Sequence, residues 1–198
     1  MRIIFLGMLG LGVLLPSCNR ADDRARNARA DTGLPTSPSI KSGNAAFEIE
    51  NVAAPETLSG QQFVNFAAAS DNFEVQSSRL ALANAHSAAV KSFARQMIGA
   101  HTQSTTKLMR TAAALNPPLV PDPTLASDQQ QTLDQLRGHE GDDFDRTYIT
   151  VQIDGHQKTL SALKAYAYKG DQPALNGFAH DMVPIVSRHL AMAHDLQH

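Results

Sequence analysis

Apolar residues return at three- and four-residue steps over four long stretches of this chain, the spacing of one face of an α-helix. In the first stretch Phe63, Phe66, Ala67, Ser70, Phe73, Ser77, Leu80 and Ala81 share a face that runs to about Asn84. Its start is signalled by Ser59 with Gln62 three residues on, a capping-box pattern, and by Leu58 with Phe63 at the spacing of a hydrophobic staple. A second stripe, Val90, Ala94, Met97, His101, Leu108 and Leu115, begins near Ser87. Only a few residues separate the two, which predicts an antiparallel helical hairpin.

The run "NPPLVPDPT" stops the second helix, because proline lacks the amide donor and restricts the residue before it. A short helix is predicted from Ser127 to Arg137, with Ser127 and Gln130 repeating the capping-box spacing. A long one follows from about Asp143 to Lys169, with Ile149, Ile153, His156, Leu160 and Leu163 on its core stripe. Gly170 is placed to end it and Asp171 to cap the last helix, which is expected to bury Leu175, Phe178, Met182, Ile185, His189, Met192 and Leu196 and to kink at Pro184. Four long helices with one long crossover that carries a short extra helix predict an all-α fold, a ferritin-like four-helix bundle.

Polar residues interrupt the stripes. Glu74, His101, His156 and His189 each lie near the middle of a long helix, so all four are expected at one depth in the bundle, whichever way the helices run. Three imidazoles and a carboxylate suit one divalent or transition metal ion such as zinc, copper or iron. The same residues also fit a set of core histidines satisfied by neighbouring side chains. A di-iron oxidase site needs several carboxylates and Glu-x-x-His pairs, but the residues three before the histidines are Ile98, Ile153 and Val186. Asp71, one turn before Glu74, is the further acid within reach. His86 is expected at a turn, His139 in a loop, and His194 with His198 near the C-terminus, while Met97, Met109, Met182 and Met192 read as core filler.

Composition adds location. A net charge of -2 over 198 residues gives no basic field, which argues against a nucleic-acid partner. The single cysteine, Cys18, excludes a thiol pair. It closes "MRIIFLGMLGLGVLLPSC", a basic residue, an apolar run and small residues, which predicts a lipoprotein-type signal peptide over residues 1–18 with lipidation at Cys18. Leu15, Ser17 and Cys18 match the bacterial lipobox, with Pro16 its unusual member. Asn19 after the cysteine predicts an outer-membrane, periplasm-facing anchor. Residues 19–58, rich in Arg, Asp, Asn, Ser, Pro and Gly, read as a flexible tether, and residues 59–198 as the bundle domain. No nucleophile elbow or Ser/His/Asp arrangement is visible.

The segments "FVNFAAASDNFEVQSSRLAL", "VKSFARQMIGAHTQSTTKL", "FDRTYITVQIDGHQKTL" and "LNGFAHDMVPIVSRHLAMA", in this order and spacing, resemble the bacterial family called domain of unknown function 4142. The resemblance implies an exported, frequently lipidated helical bundle with no established reaction, and it places Glu74, His101, His156 and His189 at the family's recurring polar positions. Ala100 and Gly155 stand where the family leads one to expect an acid before the histidine, and so to expect less acidic support for a metal. Three readings follow from the sequence: an envelope-anchored binding or stress-accessory module with a His/Glu metal site, a ferritin-like metal-dependent redox enzyme, and a structural or partner-binding lipoprotein.

Overall fold

The computed structural model describes residues 58–198. The signal segment 1–18 with Cys18, and the tether 19–58 apart from its last residue, lie outside the described residues. Five helices follow in order: α1 (Gly60–Asn84), α2 (Ala88–Ala113), α3 (Ser127–Arg137), α4 (Gly141–Lys169) and α5 (Pro173–Asp195).

Local chemistry sets most of the boundaries. The capping box before α1 forms as read: Ser59 Oγ accepts from the Gln62 amide at 3.4 Å, and Gln62 Oε1 accepts from the Ser59 amide at 2.9 Å. Ser87 Oγ accepts from the amides of Ala89 and Val90 at the head of α2. Two caps differ from expectation. At α3 the cap residue is Ala126, held in extended backbone with its amide donating to Gln129 Oε1 at 3.0 Å, so Ser127 is already inside the helix. Asp171 does not cap α5, whose first residue is Pro173, preorganised at a position that needs no amide donor. Its carboxylate instead accepts from the Gly60 amide (3.2 Å) and the Tyr166 hydroxyl (2.7 Å), tying the start of α1 to the α4–α5 turn.

At the opposite end, the amides of His86 and Ser87 donate to Asp145 at 3.2 and 2.7 Å, tying the α1–α2 turn to the first turn of α4. The two hairpins therefore lie side by side: α1 packs on α2 and α4, and α5 on α4 and α2. Neighbours run antiparallel, and the crossover between α2 and α4 travels the length of the bundle, with α3 resting on α1 and α4. This is the ferritin-like arrangement expected from the sequence.

Two apolar clusters fill the two ends. One gathers Phe73, Phe93, Met97, Leu133, Leu136, Phe144 and Tyr148. The other gathers Phe63, Val64, Leu108, Leu163, Tyr166, Leu175 and Phe178, with Phe63 and Tyr166 stacked at 3.8 Å between ring centres. Each such fully buried side chain contributes about 1.5–3 kcal/mol. Two residues expected in the core, one from a stripe and one read as core filler, fall outside it. Ile185 is 38% exposed while Val186 is 2% exposed, because the contacting seam of α5 steps through Met182, Val186, His189 and Ala193 at helical period. Met109 is 56% exposed, one residue off the buried Leu108 and so turned about 100° away from it.

Candidate metal centre

Between the two apolar clusters lies a polar layer, and its depth follows from hairpin geometry. In an antiparallel pair, residues equally distant from the turn face each other. Asp71 and His101 are 30 residues apart and symmetric about His86, and they meet with Asp71 Oδ1 at 2.8 Å from His101 Nδ1. His156 and His189 stand about equally far from the α4–α5 turn, and their ring centres are 5.5 Å apart. Because the hairpins are joined in register at both ends, the two pairs arrive at one level.

Three walls of the bundle thus supply imidazoles: His101 from α2, His156 from α4 and His189 from α5. Their ring centres form a nearly equilateral triangle with sides of 5.7, 5.5 and 5.5 Å. Each offers a nitrogen, and these ligand atoms all lie within 4.8 Å of one another. His101 Nε2, His156 Nε2 and His189 Nδ1 are buried and have no hydrogen-bond partner. Three buried imidazole nitrogens with nothing to pair with are costly to maintain, and a cation bound to their lone pairs offsets that cost.

The other nitrogens of two of these rings have partners. A carbonyl oxygen accepts only, so His156 Nδ1, 2.8 Å from the Gln152 carbonyl, carries a proton and Nε2 is the ring nitrogen left for a ligand. Asp71 Oδ1 meets His101 at Nδ1 in the same way, and its other oxygen accepts from the Thr105 hydroxyl at 3.1 Å. Such carboxylate and carbonyl partners orient metal-binding histidines and raise their basicity. Burial lowers the pKa of His101, but the Asp71 hydrogen bond and the charges of Glu74 and Asp71 outweigh it and raise the pKa above the ordinary histidine value. Burial, followed by the charges of His101, His156 and Arg188, pushes His189 down to about 3, so this ring is neutral and ready to coordinate at neutral pH.

The fourth wall, α1, supplies the acids. Asp71 supports His101 from the outside. Glu74 Oε1 lies 3.8 Å from His156 Nδ1, on the side of that ring away from the unpartnered Nε2. Of the four residues singled out from the sequence, then, the three histidines come together and Glu74 stands beside them. The acid supporting His101 comes from across the hairpin and not from position 100, since a preceding residue points about 100° away around the helix. That symmetry about His86 was the available sequence signal. The other histidines lie elsewhere: His86 pairs with Asp142 at 2.6 Å on the surface, and His194 lies 3.2 Å from Gln197 Oε1.

The fold and this centre define a helical bundle with a buried histidine triad at mid-depth. The chain belongs to the family described as Domain of unknown function (DUF4142), which matches residues 48–196. Two solved structures are similar in fold. "CopM in the Cu(II)-bound form" is 17% identical, with a TM-score of 0.60 over 70% of this chain and 95% of that one. "CopM in the Cu(I)-bound form" is 19% identical, with a TM-score of 0.59 over 70% of this chain and 94% of that one. No curated protein matches the chain.

Proposed function

We propose that this protein is a metal-binding accessory module of the cell envelope that holds one transition-metal ion on His101 Nε2, His156 Nε2 and His189 Nδ1. The observation that carries the reading is a buried histidine triad whose ligand nitrogens lie within 4.8 Å of one another, each ring holding a buried nitrogen without a hydrogen-bond partner. A purely structural role calls for a protein or water partner at each nitrogen. Imidazole donors suit copper and zinc, and copper is the first candidate because the solved structures of similar fold are described as copper-bound.

Binding is favoured over redox catalysis by the donor set. A di-metal oxidase requires several carboxylates around two adjacent positions. Here two of the three buried carboxylates, Asp71 and Asp145, are engaged with His101 and with helix-end amides, which leaves Glu74 alone, and among the described residues the three histidines form the single metal-competent group. Anchoring is the second element of the proposal: lipidation at Cys18 and the tether 19–58 would hold the bundle at a periplasm-facing membrane, by preference the outer one. No helix among the described residues is long and apolar enough to cross a membrane.

The deciding experiment is metal content and thermal unfolding of the tagless full-length protein, beside a His101→Ala/His156→Ala double variant. One equivalent of copper or zinc and a higher Tm in the parent, both lost in the variant, are expected. A parent that binds no ion and gains no stability from Cu(I), Cu(II) or Zn(II) would exclude the metal reading. Phase partitioning tests the anchor: the parent should enter the detergent phase after processing, and a Cys18→Ser protein should not be lipidated.

A further inference from the structure

We infer that the groove beside α3 is a second binding site, separate from the histidine triad, for a small organic cation: an ammonium group carried on an apolar or aromatic body. The groove encloses about 520 Å³ between α1 and α4, roofed by α3 and the crossover. That volume lies within the range of small-molecule sites, which are mostly apolar walls with a few placed polar groups. Phe66, Ala69, Phe73 and Val151 supply the apolar wall.

Glu74 supplies the polar anchor. It is 5% exposed, and its Oε2 has no hydrogen-bond partner. Its Oε1 is 3.8 Å from His156 Nδ1, beyond hydrogen-bond distance, and that imidazole proton is already given to the Gln152 carbonyl. A buried carboxylate without donors is expensive. Gly155 leaves the carboxylate its room: a Cβ there would stand 3.3 Å from Glu74 Oε1, and both residues line the groove.

The rest of the lining has the same sign. Asp122, Asp128 and Asp154 face one cation, Lys158, whose ammonium is already 3.3 Å from Asp128. Asp122 is turned onto the amide and hydroxyl of Thr124 at 2.9 and 2.6 Å, which leaves Glu74 and Asp154 as the uncommitted acids. Anions are repelled by this lining. A bare hard metal ion wants a shell of about six oxygens, whereas two phenylalanines and a valine want an organic body. The site uses no imidazole nitrogen, and its anchor Glu74 stands 3.8 Å from His156 Nδ1 at the edge of the triad.

The test is calorimetry and ligand-observed NMR on the full-length protein with phenethylamine, beside its neutral and anionic counterparts 2-phenylethanol and phenylacetate. Phenethylamine is expected to bind and the other two not. Glu74→Gln should weaken binding about tenfold or more, the effect of losing a charge-assisted hydrogen bond. Ala69→Phe, which adds bulk at the apolar wall and keeps the carboxylate, should abolish it and keeps the test open should the Glu74 variant unfold. The inference fails if the parent binds no amine, if the alcohol binds as well as the amine, or if the amine binds equally to both variants. It fails also if, in the His101→Ala/His156→Ala protein, the groove takes Zn(II) but no amine.

Discussion

At the residue scale, the chemistry of the centre turns on which nitrogen each histidine keeps free. Asp71 and the Gln152 carbonyl each meet their histidine at Nδ1, which leaves Nε2 of both rings as the atom for a ligand. Removing such an outer partner typically costs about 10–100-fold in metal affinity. Asp71→Asn is therefore expected to weaken copper or zinc binding by about that factor while leaving one site per chain, measured by competition with a chromophoric chelator. An unchanged affinity would mean that His101 is not a ligand. The same carboxylate sets a pH dependence. Because Asp71 raises the pKa of His101, a proton competes with the metal at that ring, so affinity should fall as the pH is lowered through the histidine range.

At the element scale, the helices are legible from the chain and their mutual attachments are not. Stripe periodicity and the Ser59 box place α1 to the residue, since both are contained within one helix and its cap. Asp171 shows the limit. Its position before α5 reads as a cap, yet the structure gives its carboxylate to the Gly60 amide, 111 residues away, because Pro173 already begins α5. Nothing local in the sequence says which helix end will be nearby. The three histidines were legible as polar interruptions of apolar stripes, whereas the support of His101 by Asp71 needed the hairpin symmetry, and the groove at Glu74 needed the packing of α1 on α4. Asp171→Ala should therefore destabilise a helix it does not precede in sequence, by about 1–2 kcal/mol as for other lost caps, with local amide exchange rising at the start of α1 and not at the start of α5. Exchange mass spectrometry distinguishes the two.

At the scale of the whole molecule, the polar layer divides the core, and the stability of the bundle follows the charge state of that layer. His189 has its folded pKa pushed down to about 3, below the ordinary value near 6.5. It contributes stability that is fully present above about pH 6.5 and is lost as the pH falls toward 3, because only the unfolded chain takes up the proton there. His101 is shifted the other way: its contribution is present below the unfolded value and is lost as the pH rises through its raised folded pKa. In the metal-free protein His189 therefore contributes a loss of stability below pH 6.5. His189→Gln should flatten the decline of Tm with acid relative to the parent. Asp71→Asn should steepen it, since without its carboxylate partner His101 becomes a second buried ring that resists protonation. Bound metal requires neutral imidazoles and stabilises only the folded state, so the gain in Tm on adding copper or zinc should be largest near neutral pH and shrink as the pH falls. Thermal unfolding from pH 7 to pH 4, with and without the ion, measures all three effects. A metal-induced gain in Tm that persists undiminished at pH 4 would assign the ion to carboxylates instead of to this layer.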